Sequence, residues 1–297
     1  MAKFRVMKFT DYPKEGYEEY DKGVMSIKLP SWNNFYTVVK NLQDYKDYIW
    51  RGERCDNWLL VSKFDRAFPN KDKEKREELL SNHLQHFKFA IRGRRGANPP
   101  ELDDRQCWAL GQHYGLKTPL LDWTESPFVA AYFAFVEERQ HVLSEGLMNQ
   151  LKKELSPSSI HKLKEELKKN RQTEYRAVYA LCRDLVRWGR TRKKDGPIIK
   201  RFVKFVEPLS DENPRLINQN GLFTISLEAE DIKQRVQKCY SKPDEDRIIL
   251  IRIVIPNKDR KEFLKSLNQM NINHLTLFPD LYGSAKFCNL KLEIDNY

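Results

Sequence analysis

The residues from 111 to 127 run Gly111-Gln112-His113-Tyr114-Gly115-Leu116-Lys117-Thr118-Pro119-Leu120-Leu121-Asp122-Trp123-Thr124-Glu125-Ser126-Pro127. Hydrogen-bonding side chains are threaded here through glycines and leucines, directly before an apolar run. His113 can donate from one ring nitrogen and accept at the other. Asp122 can accept hydrogen bonds and orient a neighbour. Thr124 can cap a following helix or set its hydroxyl in a cleft. Each also has a plainer use: His113 can staple a turn, and Asp122-Trp123-Thr124 can be a capping turn.

Three other segments set polar side chains among apolar ones. In Trp50-Arg51-Gly52, the arginine offers a planar fork of donors suited to phosphate or carboxylate, and the glycine allows close backbone approach. A structural ion pair is the alternative for Arg51. In Pro214-Arg215-Leu216-Ile217-Asn218-Gln219-Asn220-Gly221, Gln219 can orient a ligand amide or fix a loop. In Leu277-Phe278-Pro279-Asp280-Leu281-Tyr282-Gly283, Asp280 is an acid or a turn residue. Basic runs stand at Arg92-Gly93-Arg94-Arg95-Gly96 and at residues 187–194. In the second, Trp188 interleaves with Arg190, Arg192, Lys193 and Lys194, a pattern suited to stacking on a base beside phosphate contacts, or to a solvated loop. Arg94 and Arg95 join these as nucleic-acid candidates.

The elements that must position these residues can be read from periodicity. Residues 31–42 predict a helix capped at Ser31, and residues 48–52 a short strand ending at glycine. Residues 71–91 form a helix with Leu80, Leu84, Phe87 and Ile91 on one face, closing at Gly93 or Gly96. Asp103 or Asp104 caps a helix running towards His113, and Ser126-Pro127 opens an Ala-rich one. Residues 146–170 read as a charged helical hairpin laid on the surface, remote from the polar segments. Residues 177–181 are a buried strand. Residues 247–256 are apolar on both faces and read as a central strand. Residues 259–270 form a helix, and residues 274–278 a last strand. The chain divides into a leader with one short strand (1–34), a core in two parts (35–140 and 173–297) and the inserted hairpin (141–172). The fold class is α+β.

Composition narrows the function. The chain has 297 residues, of which 16 Phe, 13 Tyr and 6 Trp argue for a folded protein rather than a disordered one. A net charge of +11 suits a polyanionic partner, although much of the lysine excess sits beside glutamate in helices. Cys55, Cys107, Cys182, Cys239 and Cys288 are odd in number and lack a CxxC pair, which speaks against a disulfide framework or a zinc site, so no metal is expected. No apolar run approaches the ~18 residues of a spanning helix. We therefore expect a cytoplasmic protein with no membrane contact; its oligomeric state is open. Phosphate-binding glycine loops, HExxH and GxSxG are missing from convincing contexts, which sets aside kinase, dehydrogenase, zinc protease and ester hydrolase chemistry.

The four polar segments, in this order, resemble the FRG domain family, named for an aromatic-Arg-Gly triple. Trp50-Arg51-Gly52 matches the triple with Trp for Phe. His113-Tyr114-Gly115, Thr118, Leu120-Leu121-Asp122-Trp123-Thr124 and the alanines from Ala130 to Ala134 match its most recognisable stretch. Asn218-Gln219-Asn220-Gly221-Leu222-Phe223 and Phe278-Pro279-Asp280-Leu281 match later motifs. A weaker similarity is to ADP-ribosyltransferases of the Arg-Ser-Glu type. It implies a mainly antiparallel, split sheet with flanking helices, and NAD as substrate. On that resemblance Arg51 holds the cofactor's diphosphate side, and Thr124 shapes the nicotinamide pocket. Gly52, Gln112, Thr118 and Gln219 join them in cofactor binding. No Glu-x-Glu stands near Phe278. Glu228-Ala229-Glu230 follows Gln219, but Asp122 and Asp280 are the acids the motifs carry. The catalytic candidates are then Arg51, His113, Asp122 and Asp280.

The resemblance implies an ADP-ribosyltransferase-like enzyme acting on nucleic acid or protein, in the setting of a toxin or of phage–host conflict. Two other classes stay open: a non-catalytic module that binds nucleic acid or a nucleotide, and a nuclease using His113 with Asp122 or Asp280.

Overall fold

The computed structural model describes residues 7–12, 17–45, 48–69, 72–138, 156, 158–160, 174–183, 203–206, 214–226, 228–240 and 247–297. The helical hairpin expected at 146–170 lies outside them apart from 156 and 158–160, and so does the basic run at 187–194, with Trp188, Arg190, Arg192, Lys193 and Lys194.

Among the described residues, eight strands form one sheet: β1 (Tyr17–Asp21), β2 (Val24–Lys28), β3 (Tyr48–Glu53), β4 (Leu120–Thr124), β5 (Tyr175–Cys182), β6 (Val203–Val206), β7 (Gly221–Ser226) and β8 (Leu250–Pro256). Their order is β1-β2-β8-β5-β3-β4-β7-β6. Only β2 and β8 run parallel; the other neighbours are antiparallel. The class is α+β, as the pattern of elements predicts. The central position of β8, between β2 and β5, explains its apolar residues on both faces.

The leader is more than one short strand. Lys22 (φ 48°) and Gly23 (φ 85°) both take left-handed backbone, the turn that joins two antiparallel strands tightly. The resulting hairpin β1–β2 extends the sheet beside β8.

In chain order the first helices are α1 (Asn34–Leu42), α2 (Lys63–Ala67), α3 (Lys73–Ala90), α4 (Asp104–His113) and α5 (Pro127–Phe135), and helices cover both faces of the sheet. On one, α5 (Pro127–Phe135) and a helix at Arg260–Gln269 pack Ala130, Ala134, Phe135, Phe263 and Leu264 against Trp50, Val178, Ile251 and Ile253. On the other, Ile232 and Val236 of the helix Ile232–Cys239 meet Ile49, Tyr179, Leu181 and Leu250. A third cluster brings Leu84 of α3 (Lys73–Ala90) and Trp108 of α4 (Asp104–His113) onto Leu120 and Phe223. Asp103 caps α4 in a reciprocal box with Gln106. Gly93 and Gly96 take left-handed backbone just beyond α3.

Contacts at both ends fix α5 in place. A Cβ on Gly52 would stand 1.9 Å from the Ala130 carbonyl oxygen, so the glycine of Trp50-Arg51-Gly52 sets how closely β3 approaches the helix. At the other end, buried Arg176 donates from Nη1 to the carbonyls of Ala134 (2.7 Å) and Glu137 (3.0 Å). Arg260 donates to those of Phe135 and Val136, both at 2.7 Å. Two arginines therefore satisfy carbonyls that the end of a helix leaves without partners.

One expectation near the C-terminus needs correction. Residues 274–278 are not a strand: His274–Leu277 is a short helix, capped by a reciprocal box between Asn273 and Thr276. The helix Leu281–Glu293 follows, capped by Asp280, and its apolar spacing is too weak to announce it.

Candidate functional site

β3 pairs with β5 along its whole length but meets β4 at one position, Trp50 opposite Thr124. The sheet is continuous, yet its two parts touch there at a single register pair. The Glu125 amide bonds to Asn220 on the β7 side, so alternation turns the main-chain groups of Asp122 and Thr124 towards β3. Arg51 occupies the opening. Its Nη1 donates to the Asp122 carbonyl oxygen at 2.7 Å, an acceptor on the edge facing β3. Its Nε donates to the Glu53 carboxylate at 2.7 Å, and Nη1 lies 3.5 Å from the Asp122 carboxylate. Among the described residues, Nη2 makes no hydrogen bond. Burial disfavours the charged guanidinium, but Glu53 and Asp122 more than offset it, and the pKa is raised above the ordinary arginine value.

The Asp122 side chain is 54% exposed, and its orientation is set from behind. The Leu120 amide donates to Thr118 Oγ1 at 3.2 Å, which leaves the Thr118 hydroxyl to donate to Gln112 Oε1. That fixes the Gln112 amide so that Nε2 donates to both Asp122 oxygens, at 3.1 and 3.0 Å. Thr118 is fully buried and Gln112 nearly so. The network is thus a one-way chain of donors ending on an outward carboxylate.

Arg66, at the end of the short helix Lys63–Ala67, adds a second positive charge near Arg51, over the Trp58 ring. Burial and repulsion from Arg51 lower its pKa, against the attraction of Glu53 and Asp122. Behind Arg51, Tyr179 and Arg252 are its successive cross-strand neighbours. Arg252 is held by the Asp56 carbonyl (2.9 Å) and carboxylate (3.1 Å).

Arg51, Gly52, Glu53, Gln112, Thr118, Asp122 and Thr124 therefore meet at one opening. Residues 46–142 match the FRG domain family. The FRG match contains every one of these residues, and it runs through α5, which seats Gly52. The motifs around Gln219 and Phe278 lie outside the matched segment. No curated protein and no solved structure matches the chain in the corresponding searches. Among the described residues, no helix is long and apolar enough to cross a membrane.

The remaining candidates assemble next to this opening. Thr124 Oγ1 donates to the Gln219 carbonyl at 2.6 Å and accepts from the Ser126 amide at 3.1 Å. Ser126, rather than Thr124, caps α5. The Gln219 side chain is turned to the Leu277 carbonyl (3.1 Å). Asp280 Oδ1 caps the C-terminal helix at Gly283, and Oδ2 binds Arg215. The Gly283 amide and the Arg215 guanidinium hold the Asp280 carboxyl below its usual range. Burial and the Arg215 charge lower the pKa of His113, with Asp280 opposing. Gln112 and His113 are consecutive on α4 but have different neighbours. Arg94, by contrast, donates back to the Ala90 carbonyl just after α3.

Glu53, Arg66 and Arg215 are the site residues that sequence reading missed. Glu53 had a signal: it stands two residues after Arg51 on a strand, and therefore on the same face. Arg66 and Arg215 reach their places only through the fold.

Proposed function

We propose that the chain is an NAD-using, ADP-ribosyltransferase-like enzyme whose acceptor is nucleic acid or protein. The observation that carries this reading is the Arg51 guanidinium held in the opening between β3 and β4, with the outward Asp122 carboxylate beside it. Cleaving the glycosidic bond of NAD lets nicotinamide leave with the bonding electrons and places positive charge on the ribose. A site for this reaction needs a cation for the diphosphate and an anion facing the sugar. Arg51 supplies the first through Nη2, while Glu53 and Asp122 hold the rest of its fork. Asp122 supplies the second, kept in one orientation by Gln112 and Thr118. His113, whose pKa is lowered by burial and by the Arg215 charge, offers a lone pair to take the proton that the acceptor nucleophile loses. Asp280 serves as cap and as partner of Arg215, which leaves Asp122 as the acid for the ribose. The cytoplasm fits this substrate and the reduced cysteines.

The test is calorimetric titration with NAD, followed by nicotinamide release over a panel of DNA, RNA and protein acceptors. Arg51→Ala is expected to weaken NAD binding. Asp122→Asn is expected to leave binding in place and to lower the release rate by about two orders of magnitude or more. No binding of NAD and no release with any acceptor would return the chain to a binding module.

A further inference from the structure

Beside the opening lies a surface that the transfer reading does not use. Arg215 packs its guanidinium over two rings, Phe278 at 5.2 Å and Tyr282 at 5.5 Å. The Lys286 ammonium stands 5.7 Å from the Tyr282 ring on the other helical turn. Tyr282 is 50% exposed. His113 lies within electrostatic reach of Arg215, and Tyr114, 77% exposed, sets its ring edge-on to His113 at 4.7 Å.

The rear of this surface is rigid. Phe278 stacks on His274 at 5.0 Å and 22°. His274 is itself buried and shares a 2.6 Å hydrogen bond between Nδ1 and the Tyr132 hydroxyl, in the core. A Cβ on Gly283 would stand 2.0 Å from the Phe278 carbonyl oxygen, so the C-terminal helix is seated tightly on the same residue. Aromatic faces whose rear is fixed in the core lose little freedom when a ligand stacks on them.

We propose that this surface binds an unpaired nucleobase of a single-stranded nucleic acid, stacked against Tyr282 or Tyr114 with its phosphates near Arg215 and Lys286. The proposal deepens the transfer reading by naming nucleic acid as the acceptor, and rests on that reading only for the reaction, not for the binding. Three observations favour a strand over a protein. Cations alternate with rings, as on surfaces that take successive bases and phosphates. Arg215 and Lys286 outnumber Asp280 locally. The whole chain carries +11. The surface also adjoins the opening through Thr124, whose hydroxyl donates to the Gln219 carbonyl, and through Gln219, whose amide donates to the Leu277 carbonyl beside Phe278. A base held here is delivered next to the ribose site.

The experiment is fluorescence anisotropy of the full chain with labelled oligo-dT, oligo-rU and a duplex of equal length, in the absence of NAD. Single strands are expected to bind more tightly than the duplex. Tyr282→Ala and Tyr114→Ala, each with an unchanged melting temperature, are expected to weaken the single strand about tenfold, a size typical of one lost stack. Tyr282→Phe should retain binding. Arg215→Gln should reduce the slope of log affinity against log salt by about one. Strand binding that persists in Arg51→Ala supports the surface even where nicotinamide release is never seen, which separates the two readings. Binding that ignores both tyrosine variants would overturn the proposal. So would polyglutamate of equal charge competing as well as the strand, which would make the partner an acidic protein.

Discussion

Arg51 reaches across the opening between two strands and donates to the main-chain carbonyl of Asp122 at 2.7 Å. A side chain takes the place of a ladder partner there, while the Asp122 carboxylate stays outside the sheet. Because Arg51 is also the partner of Glu53, which is 3% exposed, its loss strands a buried acid. Arg51→Ala should cost about 3 kcal/mol of stability beside any loss of function. Arg51→Ala combined with Glu53→Gln should recover part of it. Chemical denaturation of the two variants measures the difference; equal stabilities would mean that Glu53 finds another partner.

Gln112 is a positioning residue for Asp122. Gln112→Leu should leave Arg51's contact with Glu53 intact and let the Asp122 carboxylate turn freely. In the release assay we expect kcat to fall about tenfold or more with KM for NAD little changed, the mark of an interaction that matters in the transition state. Gln112→Glu sets two carboxylates side by side and should be worse than Gln112→Leu. A rise in KM alone would instead mean that Gln112 shapes binding.

Gly52 has no room for a methyl group. With backbone on both partners of the 1.9 Å approach to Ala130, Gly52→Ala must push α5 away from the sheet. A loss of more than about 4 kcal/mol is expected, read as failure to fold or as a large fall in melting temperature. By comparison, Gly93→Ala meets no neighbouring atom, so only its left-handed backbone resists, and about 1 kcal/mol is expected.

Histidine 274 should couple stability to pH. Burial, with some repulsion from Lys286, lowers its pKa to about 4. The unfolded chain protonates near pH 6.5, so between that pH and about 4 the unfolded state binds a proton that the folded state refuses. Stability is fully present above pH 6.5 and is lost as pH falls, by about 3 kcal/mol once pH 4 is reached. His274→Asn should remove this part of the pH dependence. Parallel melting curves for the variant and the parent across pH 4–7 would show that the histidine is not the cause.

The arginines at the end of α5 should be as costly to lose as core residues. Arg260→Met or Arg176→Met leaves buried carbonyls without donors, for about 2–3 kcal/mol each. Urea unfolding measures both; a loss below about 0.5 kcal/mol would mean that water replaces the donors.

Most of the opening was legible because its residues are adjacent in sequence or carried by the aromatic-Arg-Gly triple and the 111–127 stretch. Periodicity placed β3, α4, α5 and β8, since each buries one whole face or both. What stayed hidden depends on long-range packing. His274-Leu275-Thr276-Leu277 alternates like a strand, and only the Asn273–Thr276 box marks it as a helix. The β1–β2 turn is written in Asp21-Lys22-Gly23, but its charged strand residues mask the pattern. Arg215 joins Asp280 across 65 residues, a pairing that no local spacing encodes.

Arg176 lies near the start of β5 and binds the carbonyl of Glu137, just past α5, at 3.0 Å, so two points 39 positions apart in sequence are one side chain apart in space. For the experimenter such a pair of points is a port: a length of chain joined between them is short to close, and doubling it costs only about 0.6 kcal/mol of closure entropy. A reporter or a second domain spliced between Glu137 and Arg176 leaves Arg51 and Asp122 where they are.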